Sequence, residues 1–399
     1  MIVLSGAEVI VPAGVLSPGT VLVEGDRILD VVAGVRRGGD RDRHVDLAGH
    51  YVVPGFIDVH VHGAEGLDTL DAGDPIAALA KRLPRYGVTA FCPTSIACDP
   101  RTLAHMLAGV RRARSAPVGG ARVLPAHLES NFINPDFRGA QPIECLRAPR
   151  GAAVDGEFTG EDILKVIGEA RPDVGIVTVA PELDGAMELV ADLVRNGHIV
   201  SVGHSGATFE QGIAAIEAGA RQATHLFNRM PPLGHRAPGL AGAVLRHDGV
   251  AAEVVCDGVH VHPAMIRVAL SAKRPDAFMA VTDGTAGSGL PRGATAQLGG
   301  RRITIGDAAY LADGTIGGSV ITMNRALATL VEVVGVDLPS AAAVCATTPA
   351  RELGLHGLGV IVPGALADLA VLDSRFRVRQ TYVDGKLVFD ADVAADAAG

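Results

Sequence analysis

The sequence predicts a (β/α)8 barrel with a small β-sandwich domain built from both ends of the chain. Three observations predict it. Short β-rich runs alternate with alanine-rich, helix-period stretches through the middle of the chain, which implies a parallel sheet. The alternation repeats eight times, which implies closure into a barrel. Both ends are rich in strand patterns. An open doubly wound sheet is the alternative, but eight strands in about 240 residues fit a barrel's usual size. The expected division is residues 1–53 plus 362–399 for the β-sandwich and 54–361 for the barrel.

The elements follow in order. Residues 1–11 are apolar and β-branched, and residues 20–32 (TVLVEGDRILDVV) alternate in part. Pro12, Gly14, Pro18, Gly19, Gly25 and Asp26 supply the turns. Barrel strands are expected at 51–60, 87–94, 123–129, 174–180, 199–204, 222–225, 251–256 and 277–283. Helices are expected at 75–86, 100–114, 160–169, 185–196, 209–218, 263–272 and 323–333. Near the end, runs at 367–372, 378–383 and 386–389 surround Asp384-Gly385, a hairpin signal. The final ADVAADAAG has little to pack and is expected to fray. The Gly-rich segment 284–300 carries no GxxxxGK[ST] motif and is expected to be a mobile loop over the ligand. Residues 131–154 form a second long irregular segment, expected to act as a lid.

Composition narrows the function classes. A chain of 399 residues with 48% hydrophobic and 20% charged residues can bury a large core, which excludes disorder. A formal charge of −9 argues against a nucleic-acid binder. Aromatic content of 4%, with no Trp, argues against stacking platforms. The five cysteines are odd in number, scattered and without a CxxC, so neither a disulfide framework nor a cysteine-based zinc site is expected. The opening MIVLSGAEVIVPAGV reads as a strand rather than a signal peptide, and no apolar run nears the roughly 20 residues of a membrane helix. These features lead to an expectation of a reduced cytoplasmic protein with neither nucleic-acid nor membrane partners.

Histidines and carboxylates gather at the ends of the expected strands. His60 and His62 (DVHVHG) end the first, Glu129 (HLES) the third, His204 (SVGHS) the fifth and His225 (THLFN) the sixth. Asp257 and His260 (CDGVH) follow the seventh, and Asp283 (AVTDG) ends the eighth. All strand C-termini of a barrel open on one face, so these side chains are expected to converge. Imidazoles with a carboxylate suit zinc and similar divalent ions, in a site that leaves room for water. His60 and His62, at i and i+2, point the same way on a strand. Glu129 is placed to bridge two ions. A metal there makes water nucleophilic near neutral pH, and Asp283 is the natural general base and later acid. A lone histidine in a strand is more often structural; the set at successive strand ends is what carries the reading. His127, two residues before Glu129, either supports the ligands or packs. His44, His50, His105, His198, His247 and His356 are read as surface or packing residues.

These residues resemble the amidohydrolase superfamily, and within it the N-acetylglucosamine-6-phosphate deacetylase family. The likeness runs over essentially the whole chain, through VPGFIDVHVHG (53–63), AHLES (126–130), SVGHSGAT (201–208), ATHLFNRMPPL (223–233), RAPGL (236–240), DGVHVHP (257–263) and AVTDGTAGSG (280–289). GHS-AT with THLFN and a downstream R-PG is narrower than a generic HxH. The resemblance implies that Glu129, His204 and His225 hold a divalent ion, zinc in the first instance. His60 and His62 match members that hold a second ion. It implies that Asp283 is the catalytic acid/base, that Asn228, Arg236 and His260 meet the sugar phosphate, and that the enzyme is a homodimer. An arginine suits phosphate as a charge-assisted fork; the alternatives are a solvated loop charge for Arg236 and a satisfied loop backbone for Asn228.

Four departures fall on the sugar-facing wall. Ser130-Asn131-Phe132 stands where the family reads GPF or GPW, and Arg138-Gly139-Ala140-Gln141 where it reads KGAH, so that Gln141 replaces a sugar-contacting histidine. VTDGTAGSG lacks a proline, and Arg229 stands where a small residue is usual. The expected reaction is hydrolysis of the N-acetyl amide of an amino sugar phosphate, N-acetylglucosamine 6-phosphate to glucosamine 6-phosphate and acetate. The altered wall keeps open a different N-acetylated amino sugar, such as the galactosamine epimer or an unphosphorylated sugar of secondary metabolism. Cyclic-amide hydrolysis would need a lysine near Val179-Ala180-Pro181-Glu182, where none stands. A non-catalytic scaffold barrel would be expected to have lost these ligands or the aspartate.

Overall fold

The computed structural model describes residues 1–116, 118–150 and 158–396. Eight parallel strands run Phe56–Val61, Val88–Ser95, Ala126–Leu128, Val174–Val179, Ile199–Val202, Gln222–Ala223, Ala251–Val255 and Phe278–Val281. Each pairs with the next in chain order. The eighth returns to the first through the parallel bridge Val61–Gly284, the Asp283 N–H bond to the His60 carbonyl at 2.9 Å, and Thr282 Oγ1 to Asp58 Oδ2 at 2.6 Å. The ring is therefore an eight-stranded parallel barrel. A cluster drawing Ile57, Ala90, Ile176, Val255 and Met279 from different strands fills it.

Helices coat the outside for the usual reasons of capping and one apolar stripe. Asp99 caps the helix Pro100–Ser115, whose Leu103, Met106, Leu107 and Val110 are buried. Thr159 with Asp162, and Thr208 with Gln211, form capping boxes for Gly160–Glu169 and Phe209–Glu217. Lys165 lies within Gly160–Glu169. No helix among the described residues is long and apolar enough to cross a membrane.

Both ends of the chain join one eight-stranded mixed sheet. It holds Ile2–Val11, Gly14–Glu24, Arg27–Ala33, Arg43–Asp46 and Tyr51–Pro54 from one end, and Leu369–Leu372, Val378–Val383 and Lys386–Asp390 from the other. The seam is the antiparallel pair of Tyr51–Pro54 with Leu369–Leu372. Asp384 and Gly385 both have positive φ (48° and 69°), the conformation of a two-residue hairpin turn. Leu4, Val9, Val21, Ile28, Leu369 and Tyr382 lie in its core.

Four expectations need correction. The run 51–60 is not one strand: it divides at Gly55, whose N–H donates to Asp368, so Tyr51–Pro54 joins the terminal sheet and Phe56–Val61 the barrel. A Cβ on Gly55 would come within 2.2 Å of Thr89, so the crossing needs glycine. A helix at Gly239–Arg246, absent from the sequence reading, follows the sixth strand; burial of Gly239 through Leu245 overrides its two glycines. Segment 284–300 is not an open loop, because Thr295–Leu298 pairs with Arg301–Ile305 and then Ala309–Tyr310, around Leu298, Ile303 and Ile305. The chain end forms a short helix, Ala391–Asp396, packed on the neighbouring hairpin, rather than fraying from residue 391; residues 397–399 lie outside the described residues.

Candidate active site

The strand C-termini open into a cavity of about 400 Å³. Glu129 lies at its floor, buried, with Oε1 2.8 Å from His204 Nε2 and 2.9 Å from His225 Nε2. The two Nε2 atoms are 3.1 Å apart. His204 Nδ1 faces the Phe137 carbonyl at 2.8 Å and donates to it, which leaves the Nε2 lone pair aimed at Glu129 and His225. Lone pairs converging at this distance repel unless a proton or a cation lies among them. The three residues therefore fit a divalent ion by the chemistry of their donors.

The second half of the site adjoins the first. His60 Nε2 and His62 Nε2 are 3.2 Å apart, and His62 Nε2 is 3.4 Å from Glu129 Oε2. Asp283 Oδ1 is 3.3 Å from His62 and 3.5 Å from His60. Glu129 thus faces both histidine pairs, one oxygen nearest each. Burial opposes a charge on His62, but Asp283 and Glu129 override it and lift its pKa to about 10. Burial opposes His225 likewise, and Glu129 lifts it to about 9. Burial pushes Glu129 up, yet His204, His225 and His62 hold it well below the carboxylate range. The floor demands positive charge, and protons or a metal ion meet that demand.

Backbone strain is concentrated here. His204, His225 and Asp283 have φ of 47°, 27° and 46°, and Ser130, Phe227 and Arg229 nearby are also positive. Non-glycine residues seldom adopt that region, and those that do cluster at functional sites. All but Ser130 line the cavity; Ser130 Oγ is bonded instead to the Thr178 carbonyl.

The remaining sequence-derived residues divide. His260 lines the cavity; its Nδ1 is 2.6 Å from Asp257 Oδ2 and its Nε2 3.9 Å from Asp283 Oδ2. Gln141 lines it too, but its amide is engaged: Nε2 donates to Glu129 Oε2, and Oε1 accepts from the Ala97 N–H at 2.7 Å. Asn228 lines the cavity, with Nδ2 turned to its own loop carbonyls, His225 at 3.2 Å and Leu226 at 3.4 Å. Arg229 lines the wall, and Arg236 lies outside it on exposed chain. His127 is bonded on both nitrogens, to the Val59 carbonyl at 3.0 Å and Thr178 Oγ1 at 2.9 Å, and burial lowers its pKa to about 4. It packs beneath the floor as a neutral imidazole.

Two residues were given no role in the sequence reading. Glu253, fully buried on the seventh strand, accepts from His60 Nδ1 at 2.8 Å and from the His225 N–H at 3.2 Å. A lone acid in the apolar run AAEVVC was its signal. Glu182, after the fourth strand, accepts from Asn134 Nδ2 (2.8 Å), Ser205 Oγ (2.7 Å) and the Gly206 N–H (2.6 Å), and so ties the 131–141 wall to the turn after His204.

Known proteins resemble this chain over most of its length. Residues 51–388 match the Amidohydrolase family. The chain is 36% identical over 401 residues to N-acetylglucosamine-6-phosphate deacetylase of Mus musculus, covering 95% of each. It is 32% identical to N-acetylgalactosamine-6-phosphate deacetylase of Escherichia coli O157:H7, over 84% of this chain and 86% of that one. It superposes with a TM-score of 0.85, at 32% identity, on an aspartate-to-alanine mutant of N-acetyl-D-glucosamine-6-phosphate deacetylase from Mycobacterium smegmatis in complex with N-acetyl-D-glucosamine-6-phosphate, covering 97% and 99% of the two chains.

Proposed function

We propose a substrate and a mechanism from one premise: the chain belongs to the amidohydrolase family, and within it to the N-acetylglucosamine-6-phosphate deacetylases, and is a hydrolase that removes an acetyl group from an amide. The substrate we assign is N-acetylglucosamine 6-phosphate, which yields glucosamine 6-phosphate and acetate. A relative solved with that sugar phosphate supports the assignment. The observation that carries it in this chain is the convergence of Glu129, His204 and His225 beside Asp283 at the barrel mouth.

In this reading Glu129, His204 and His225 hold one divalent ion, zinc, and His60 and His62 contribute to a second. When bound, the ion supplies a Lewis acid that polarises an amide carbonyl and acidifies water. The chain's own residues do the rest. Asp283 takes the proton of the attacking water at its carboxylate and returns it to the leaving amine nitrogen. Glu253 and the Phe137 carbonyl keep His60 and His204 in the tautomer that presents Nε2. His260, its ring held by Asp257, faces the sugar beside Asp283. Arg236, Asn228, Arg229 and Gln141 complete the substrate-facing set, and Gln141 acts through Glu129. Arg236, exposed and outside the cavity, fits a homodimer in which it reaches a neighbouring site. The barrel domain in this reading is 54–361, the terminal domain 1–53 plus 362–399, and the compartment the cytoplasm.

A second reading keeps the chemistry and changes the sugar to the galactosamine epimer. Gln141 in the cavity wall and the galactosamine-specific relative favour it, whereas Ser130, Asn131 and Phe132 are buried behind the wall and bonded or packed away from the cavity. Acetate release from both N-acetylhexosamine 6-phosphates and both unphosphorylated sugars, with zinc present, decides. Preference for the glucosamine phosphate supports the first reading; preference for the epimer supports the second. No release from any of the four, with metal bound, rejects both.

A further inference from the structure

Carboxylates and histidines share the cavity floor, and the wall adds a further carboxylate. Glu129 and Asp283 are the floor carboxylates, and Asp136 lines the wall. A dianionic phosphate seated there needs a fixed cation within a few ångströms. Among the described residues that line the cavity, Arg229 is the one arginine or lysine. Asn228 next to it turns its amide N–H groups inward to the loop. We propose that Arg229 is the specificity-determining residue by which this chain recognises the phosphate of its substrate. The inference rests on the substrate proposed for the same site.

Three features hold Arg229 in place. Its φ is +52°, a conformation that an arginine keeps only where its surroundings impose it. Its carbonyl accepts the Ser205 N–H at 3.0 Å, so its backbone is tied to the residue after His204. Its side chain crosses Gly139 (φ +59°), where a Cβ would come within 2.6 Å of Arg229 Nε; the wall leaves room for the guanidinium. The side chain is exposed and forms no ion pair among the described residues, which leaves its fork of N–H donors for a ligand.

The test compares wild type, Arg229→Ala, Arg229→Lys and Arg236→Ala on N-acetylglucosamine with and without its 6-phosphate. The ratio of kcat/KM for the phosphorylated over the plain sugar is expected to fall about 10- to 100-fold in Arg229→Ala. Arg229→Lys is expected to fall between, since it keeps the charge and loses the fork. A ratio unchanged in Arg229→Ala, or a wild type that does not prefer the phosphorylated sugar, overturns the inference while leaving amide hydrolysis standing. Calorimetric titration of inorganic phosphate needs no turnover. Weaker binding in Arg229→Ala supports the inference even if no sugar is cleaved, and equal binding overturns it.

Discussion

Removing the Glu253 carboxylate isolates what it does for the histidines. Glu253 is 0% exposed and accepts two hydrogen bonds on one oxygen, from His60 Nδ1 and the His225 N–H. Glu253→Ala strands both donors in a dry interior. Each stranded donor costs about 1–3 kcal/mol, so the pair costs about 2–6 kcal/mol before any cavity term. Glu253→Gln keeps one oxygen for both donors. Its new amide N–H groups then occupy the position of Oε1, 3.6 Å from His127 Nδ1, which already donates to Val59. Donor meets donor there, so glutamine is expected to cost about 1–3 kcal/mol. The metal readout follows the same order. With His60 free to rotate, affinity for the ion that His60 would hold should drop about 10- to 100-fold in the alanine variant, and less in glutamine. Affinity at Glu129, His204 and His225 should change less. Metal content by mass spectrometry across a chelator series, read beside denaturant unfolding, measures both. Wild-type affinity for every ion in Glu253→Ala would refute the reasoning.

Other perturbations have defined outcomes. Asp283→Asn should lower turnover at least about 100-fold with ion content unchanged; near-normal turnover would remove Asp283 from the mechanism. Dialysis against a chelator should lower Tm, and zinc should restore it, by about 3 kcal/mol of stability at a hundredfold excess over Kd; an unmoved Tm argues against a resident ion. Burial raises the Asp368 pKa to about 6 from 3.8. A raised carboxyl pKa favours the folded state below about pH 4, and that favour is lost as pH rises through about 6. Relative to Asp368→Asn, wild type should therefore lose about 3 kcal/mol between pH 4 and 7 in urea titrations; a constant difference would contradict this.

Much of the molecule was legible because its signals are local. Strand ends, helix caps and the turn at Asp384-Gly385 depend on neighbours a few residues away. The metal-type residues were legible because a barrel puts every strand C-terminus on one face, so their order along the chain suffices. What escaped depends on distant partners. Gly55 breaks an unbroken apolar run only because Asp368 and Thr89 meet it. Gly239–Arg246 is a helix because burial on every side outweighs its glycines. Gln141, expected to face the sugar, is turned to Glu129 by a bond from Ala97. Glu253 showed only as an acid out of place among alanines and valines.

The seam between the chain's two ends bears on how the protein is made. The Arg27 guanidinium bonds the Gly364 carbonyl, 337 residues later, and Tyr51–Pro54 waits for Leu369–Leu372 to pair. On a ribosome the early strands emerge first and can pair with one another, but Tyr51–Pro54 keeps one edge open until almost all of the barrel has been synthesised. Their exposed apolar edge is a target for chaperones and for aggregation in that interval. A nascent chain stalled before residue 369 should carry a barrel whose first strand lacks its anchor, and quality control, rather than catalysis, should be the first to register a lesion in that late hairpin.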